Sequence, residues 1–177
     1  GQYEDNGVMK DYYNTDPDSA SRGKLGSDDA VRVKTFQLNA DGTLGDEIEN
    51  VKFVDVSAGE DHSMAVDSVG NIWVTGSNAY GQLGIPTVSG SINGFVKLEI
   101  LDKNGAPVRF VSVSAGDRFS LALAADGTAY VWGRNDKGQL GLGDNAPVEV
   151  SVPTASSLHN VNEISAGYDH TLFLTKS

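Results

Sequence analysis

Apolar and polar residues alternate with a period of two along most of this chain, in short runs broken by glycine-bearing turns. Val31, Val33 and Thr35 alternate with charged positions and predict a strand over 31–38. The same reading predicts strands over 51–56, 63–67, 71–75, 95–101, 108–113, 120–124, 128–132, 148–152, 161–164 and 171–174. Turn residues fall between them: Asp41-Gly42, Val69-Gly70, Lys103-Asn104-Gly105 and Asp126-Gly127. Residues 85–94 are small or chain-breaking and read as a loop, and the strand before it ends at Gly76. No segment carries the 3.6-residue period of an amphipathic helix, so the expectation is an all-β chain.

The pattern repeats. Residues 57–84 and 114–141 align without a gap, with 13 of 28 positions identical. The shared residues are mostly Gly, Ser, Asn and Ala, which is how a common backbone path is written into two sequences. Ser-Ala-Gly begins at Ser57, Ser114 and Ser165, and Gly-Gln/Lys-Leu-Gly begins at Gly23, Gly81 and Gly138. Three copies at spacings of 51 to 58 residues indicate an array of supersecondary units of about four strands each. Radially repeated four-stranded units make a β-propeller. The chain therefore reads as a single domain over 1–177, with repeat junctions near 50/51, 107/108 and 160/161. Residues 1–22 form an N-terminal half-blade with an acidic insertion.

Composition removes whole classes of function. Thirteen Lys and Arg against 24 Asp and Glu leave a net charge of −11, which repels phosphate backbones, so no nucleic-acid partner is expected. There is no cysteine, which excludes disulfides and thiolate chemistry. No run is long enough for a membrane span, and no signal peptide is apparent. The chain begins at Gly1, which a processed mature product or an expressed segment would both explain. An acidic, cysteine-free chain rich in Asn, Asp, Gly, Ser and Thr suits a protein secreted to the outside or the surface of a bacterium.

Candidate chemistry is sparse. Asn14, Asp16 and Asp18 alternate as in the first half of a calcium loop, but Ser19 stands at the sixth position and Leu25 at the twelfth. A solvated acidic loop is the preferred reading, with calcium as the alternative and no other cofactor expected. His62 and His170 hold equivalent places in different repeats, which suits hydrogen bonding around the Ser-Ala-Gly loop better than catalysis. The Gly-rich turns at Gly81 and Gly138 lack a Walker lysine, and no nucleophile-elbow motif is present, so no enzyme is expected. Trp73, Trp132, Tyr130 and Tyr12 fall on strands at equivalent repeat positions and read as inter-blade core.

Ser-Ala-Gly-x-x-His-Ser-x-Ala-Val, a hairpin Gly, a Trp, Gly-x-Asn and Gly-Gln-Leu-Gly together resemble the repeat of the regulator of chromosome condensation (RCC1-like) β-propeller family, over residues 7–177. That resemblance implies a propeller, most often of seven blades, acting as a protein-binding scaffold. Members include a Ran nucleotide exchange factor, a plant ultraviolet-B receptor and a secreted bacterial β-lactamase inhibitor. The usual tryptophan pair is split here between Trp73 and Trp132, and Phe119 replaces the histidine seen at His62 and His170. No residue set matches an exchange-factor surface.

The two ends suggest an assembly. Gly7-Val8-Met9-Lys10-Asp11-Tyr12 resembles residues 127–132, with Tyr12 at the Trp132 position, so the N-terminus is expected to supply the second half of a blade whose first half lies at 161–174. The expected interface joins Gly7, Val8, Met9 and Tyr12 of one copy to Thr171, Leu172, Phe173 and Leu174 of another. The result is a head-to-tail filament or ring. The alternatives are a soluble protein-binding module, inhibitor or scaffold, and a fragment of a larger propeller.

Overall fold

The structure, a computed structural model, describes residues 10–11 and 31–176. Among them every regular element is a strand. Two short strands come first, β1 (Lys10–Asp11) and β2 (Val31–Arg32), paired antiparallel with each other. A hairpin follows, β3 (Thr35–Leu38) and β4 (Leu44–Ile48), turning at the Asp41-Gly42 pair. Then come β5 (Phe53–Ala58), β6 (His62–Asp67), β7 (Ile72–Ser77) and β8 (Ser91–Leu98). The next unit repeats that order as β9 (Phe110–Ala115), β10 (Phe119–Ala124), β11 (Ala129–Arg134) and β12 (Glu149–Ala155). The chain closes with β13 (Val161–Ala166) and β14 (Thr171–Thr175).

Each unit is an antiparallel meander. Strands β9 to β12 form one four-stranded sheet, and β5 to β8 form another that is extended at its outer edge. That extension is the β3–β4 hairpin, with β3 lying parallel to β8 in register Thr35↔Phe95. Period-2 patterning is blind to such a pairing, because it fixes faces and not neighbours. The run read as one strand over 31–38 is accordingly two strands, with β2 paired to β1 and β3 paired to β8. The run read as a loop over 85–94 is also shorter. Strand β8 starts at Ser91, because Ile92 pairs with Gly76 across a register shift and Gly94 adopts φ +146 beside it. Gly94 N donates to Thr75 Oγ1 within that bulge.

The core runs between the sheets. Met64, Val66, Ile72, Val74, Val96, Phe119, Leu121, Val131 and Trp132 are buried in one cluster spanning both units. Strand β6 packs on β9, and β10 packs on β13. Thus the second strand of each unit lies against the first strand of the next.

Candidate interaction surface

The recurrent motifs are turns held by their own side chains. In the first unit Asn78 Oδ1 accepts from Leu83 N at 2.9 Å, while Asn78 Nδ2 donates to the carbonyls of Ile85 and Val88. Gln82 Oε1 accepts from Tyr80 N at 2.7 Å. In the second unit Asn135 and Gln139 do the same work toward Leu140, Pro147 and Lys137. The Gly-x-Asn and Gly-Gln-Leu-Gly motifs are therefore one device, in which buried polar side chains satisfy turn amides that no strand can reach. Gly59 and Gly116 serve differently. A Cβ on either would come within 2.6 or 2.2 Å of the His62 or Phe119 ring seated on it.

The junction between the units is polar as well as apolar. Ala115 N donates to Ser57 Oγ at 2.9 Å, and Val113 N donates to Asp55 Oδ2 at 2.9 Å. Ser120 Oγ donates to Gln82 O at 2.7 Å, so it accepts from His62 Nε2–H, 2.9 Å away. Trp132 Nε1 donates to the same Gln82 carbonyl at 2.8 Å. The side-chain hydrogen bond of His62 thus runs across the junction to a residue 58 positions away, and not to its own Ser-Ala-Gly loop, on whose Gly59 the ring packs while Nδ1 is left without a partner. Burial pushes the His62 pKa down to about 4, although Asp61 and a backbone bond at Phe119 act the other way.

The junction with the β13–β14 pair repeats this plan. Ala166 N donates to Ser114 Oγ at 2.9 Å, and Thr171 Oγ1 donates to Gln139 O at 2.6 Å. A charged cluster crosses the first junction: Arg118 pairs with Glu60 at 3.2 Å and lies 5.0 Å over the Tyr80 ring. Arg134 pairs with Asp117 at 3.2 Å and with Asp136 at 2.7 Å. Burial and the neighbouring Glu60 carboxyl push Asp117 up, against the two arginines.

Of the residues singled out in the sequence, Thr171, Leu172, Phe173 and Leu174 lie together on β14. Gly7, Val8, Met9 and Tyr12, and the calcium candidates Asn14, Asp16 and Asp18, lie outside the described residues. Lys10–Asp11 pair with Val31–Arg32 along one edge. Trp132 sits in the inter-unit core, as does Tyr130, edge-on to Phe110 at 5.4 Å. Trp73 instead packs with Ala65, Phe95 and Phe53 of its own sheet, its Nε1 donating to Asp67 Oδ2. The Ser-Ala-Gly and Gly-Gln-Leu-Gly motifs include Ser57 and Gln82, but nothing in them named the partners across the junction, and Ser120 belonged to no motif. Ser57 and Gln82 recur in the next repeat as Ser114 and Gln139, and Thr171 stands in the place of Ser120.

Antiparallel four-stranded units that pack second strand on first strand, one after another, are β-propeller blades. The family model for the regulator of chromosome condensation (RCC1) repeat matches residues 69–123 and 126–174, and a second model of the same repeat matches 53–82 and 110–139. The chain belongs to this repeat family. It is 34% identical over 160 residues to the probable E3 ubiquitin-protein ligase HERC6 of Homo sapiens, covering 88% of this chain and 14% of that protein. It is 31% identical over 135 residues to protein pim1 of Schizosaccharomyces pombe, covering 69% of this chain and 25% of that protein. Among solved structures it is similar to Prp20p from Saccharomyces cerevisiae, with TM-score 0.64 and 25% identity over 71% of this chain and 31% of that one. It is also similar to human WBSCR16, with TM-score 0.62 and 25% identity over 75% and 32%. The chain thus spans a quarter or less of the curated relatives named here and about a third of these structures.

Proposed function

We propose that this chain is a non-enzymatic, protein-binding propeller segment that associates head-to-tail by completing a split blade. The β13–β14 pair would be the inner half of that blade and the β1–β2 pair the outer half, supplied by a second copy. One observation carries the reading. Strand β10 is flanked by β9 and β11, whereas β14, its counterpart, has only β13 beside it among the described residues. An open strand edge with exposed apolar side chains is a template for strand addition. Residues 7–12 resemble the start of the strand that fills this place in the second unit, sharing its hairpin glycine and an aromatic residue at the sixth position, and β1 within them uses one edge on β2.

A second reading, a soluble scaffold or inhibitor that binds another protein, draws support from Prp20p, whose structure was described with its binding properties to Gsp1p and histones. In that case, or where further blades follow in the same polypeptide, the β14 edge is closed without a second copy. Light scattering on the 177-residue chain at micromolar concentration separates the readings. Head-to-tail assembly gives a ring or a growing filament, and deleting residues 1–13 abolishes it while the melting of the central unit persists. A stable monomer from the intact chain overturns the proposal.

A further inference from the structure

Four hairpin turns of this chain share one geometry. The amides of Gly42, Gly70, Gly105 and Gly127 each donate to the carbonyl three residues back, and each of these glycines has a positive φ, from +79 to +93. The residue before the glycine differs: Asp41, Val69, Asn104 and Asp126. Asp41 Oδ1 accepts from Thr43 N and Thr43 Oγ1, and Asp126 Oδ1 accepts from Thr128 N. In the turn over 102–106 the bonding carboxylate stands at the first position instead. Asp102 Oδ1 accepts from Asn104 N at 2.8 Å and from Ala106 N at 2.9 Å. The Asn104 side-chain amide is left exposed, with no hydrogen bond among the described residues.

Asparagine is chemically labile, and most so before glycine. Its side-chain amide is an acyl donor within reach of the next backbone nitrogen, and glycine has no Cβ to shield that nitrogen. The chain has three such steps, at Asn6, Asn93 and Asn104, of which Asn6 lies outside the described residues. Asn93 is exposed, but its backbone is inside β8. Ile92 and Val96 on either side of it pair with β7, and Gly94 N donates to Thr75 Oγ1 at 3.2 Å. The Phe36 ring covers Gly94, 2.6 Å from where a Cβ would stand. Around Gly105 a Cβ would meet nothing within 4 Å. The turn itself is tied by Gly105 N to Asp102 O at 3.0 Å and Asp102 N to Ala106 O at 2.8 Å, next to the isolated bridge between Leu101 and Pro107. A few exposed bonds of this kind open locally, without parting the strands of a sheet.

We infer that Asn104 is a site of spontaneous deamidation and backbone isomerisation, with water as the co-reactant. When the turn opens, Gly105 N–H leaves Asp102 O and gives its proton to hydroxide. The nitrogen attacks Asn104 Cγ, so the N–Cγ bond forms and the Cγ–Nδ2 bond breaks. Nδ2 departs as ammonia with a proton from water, which restores the hydroxide, and a cyclic imide remains. Water then opens the ring at either carbonyl. Opening at Cγ leaves an aspartyl residue. Opening at the main-chain carbonyl leaves an isoaspartyl link, in which the side-chain carbon is now part of the main chain. Either product sets a new carboxylate beside Asp102. The isoaspartyl form also puts Gly105 N out of register with Asp102 O, so the turn does not re-form. The other three turns react far more slowly, because Val69 has no acyl group and the ionised carboxylates of Asp41 and Asp126 are poor acyl donors. The change falls on the link between β8 and β9 and leaves both sheets intact.

The test ages the intact chain at body temperature in mildly alkaline buffer, samples it over weeks and digests it with trypsin. Cleavage after Lys10, Lys52, Lys97, Lys103 and Arg109 puts the three asparagine–glycine steps on separate peptides. Peptide 104–109 should gain the mass of an amide-to-acid exchange and split into two peaks, isoaspartyl and aspartyl. It should do so roughly 10-fold faster than Asn93 within peptide 53–97, since about 1.4 kcal/mol of extra opening cost is a factor of ten. In denaturing urea the two rates should converge. Asn104→Gln should lose both peaks and melt at the parent's temperature, because the position is exposed. An unaltered peptide 104–109 overturns the site. Equal rates at Asn104 and Asn93 in the folded chain, or a difference that persists in urea, overturn the role given to the fold. A single aspartyl peak overturns the cyclic-imide route, since direct hydrolysis of the amide makes no isoaspartate.

Discussion

Lowering the pH from 8 to 4 should destabilise this fold through one buried imidazole. His62 is 3% exposed, its Nε2–H is committed to Ser120 Oγ, and its Nδ1 is buried without a hydrogen-bond partner. The nearest carboxylate oxygen, Asp61 Oδ1, is 3.9 Å away, too far to bond. The cation is therefore poorly accommodated, and the folded pKa falls from 6.5 to about 4. Above the unfolded value both states hold a neutral ring and no penalty exists. Between 6.5 and 4 the unfolded chain binds a proton that the folded chain refuses, so stability drops as pH falls. At about 1.4 kcal/mol per unit, the loss reaches about 3 kcal/mol near pH 4.

The control is His62→Phe, which borrows the residue found buried at the equivalent Phe119. Ser120 Oγ keeps Gln82 O as its acceptor, so the variant should lose only about 1 kcal/mol at pH 8. Urea unfolding followed by the fluorescence of Trp73 and Trp132, at several pH values, reads both proteins. The parent should lose stability more steeply than His62→Phe between pH 6.5 and 4, and the two curves should converge or cross. Parallel curves would refute the argument, since they would mean that His62 takes up its proton without opening the junction.

Four further outcomes follow from the turns and from the acidic run in the sequence. Gly138→Ala should cost about 1–2 kcal/mol in thermal unfolding, from its φ of +71 in open space. Gly81→Ala should cost more, because at the same backbone conformation its Cβ would lie 2.7 Å from Ser151 Cα. Asn78→Ala strands Leu83 N, Ile85 O and Val88 O in the interior and should cost about 3 kcal/mol by chemical denaturation, far more than an exposed Asn104→Ala. Calorimetric titration with calcium should show no binding heat, because Ser19 and Leu25 stand at the sixth and twelfth positions counted from Asn14; a saturable heat lost in Asp16→Asn would reverse that reading.

Glycine and hydrogen-bonding side chains act within a few residues, and that part of the molecule was legible in the sequence. Gly81 and Gly138 need positive φ wherever the chain packs, and Asn78 closes on a turn five residues away, so repeat, turns and strand order can be read by eye. Most strand ends fall within one or two residues of their alternation pattern. The parallel docking of β3 on β8 could not be read, because alternation specifies which side of a sheet a residue faces and never which strand lies beside it. Nor could the bond from His62 to Ser120, whose partners are 58 residues apart and unremarkable separately. The sharpest case is Leu121 and Leu172. They hold the same place in the same pattern, yet one is fully buried and the other 64% exposed. Burial depends on the next sheet in space, and only the tertiary structure shows which described residues have that sheet beside them.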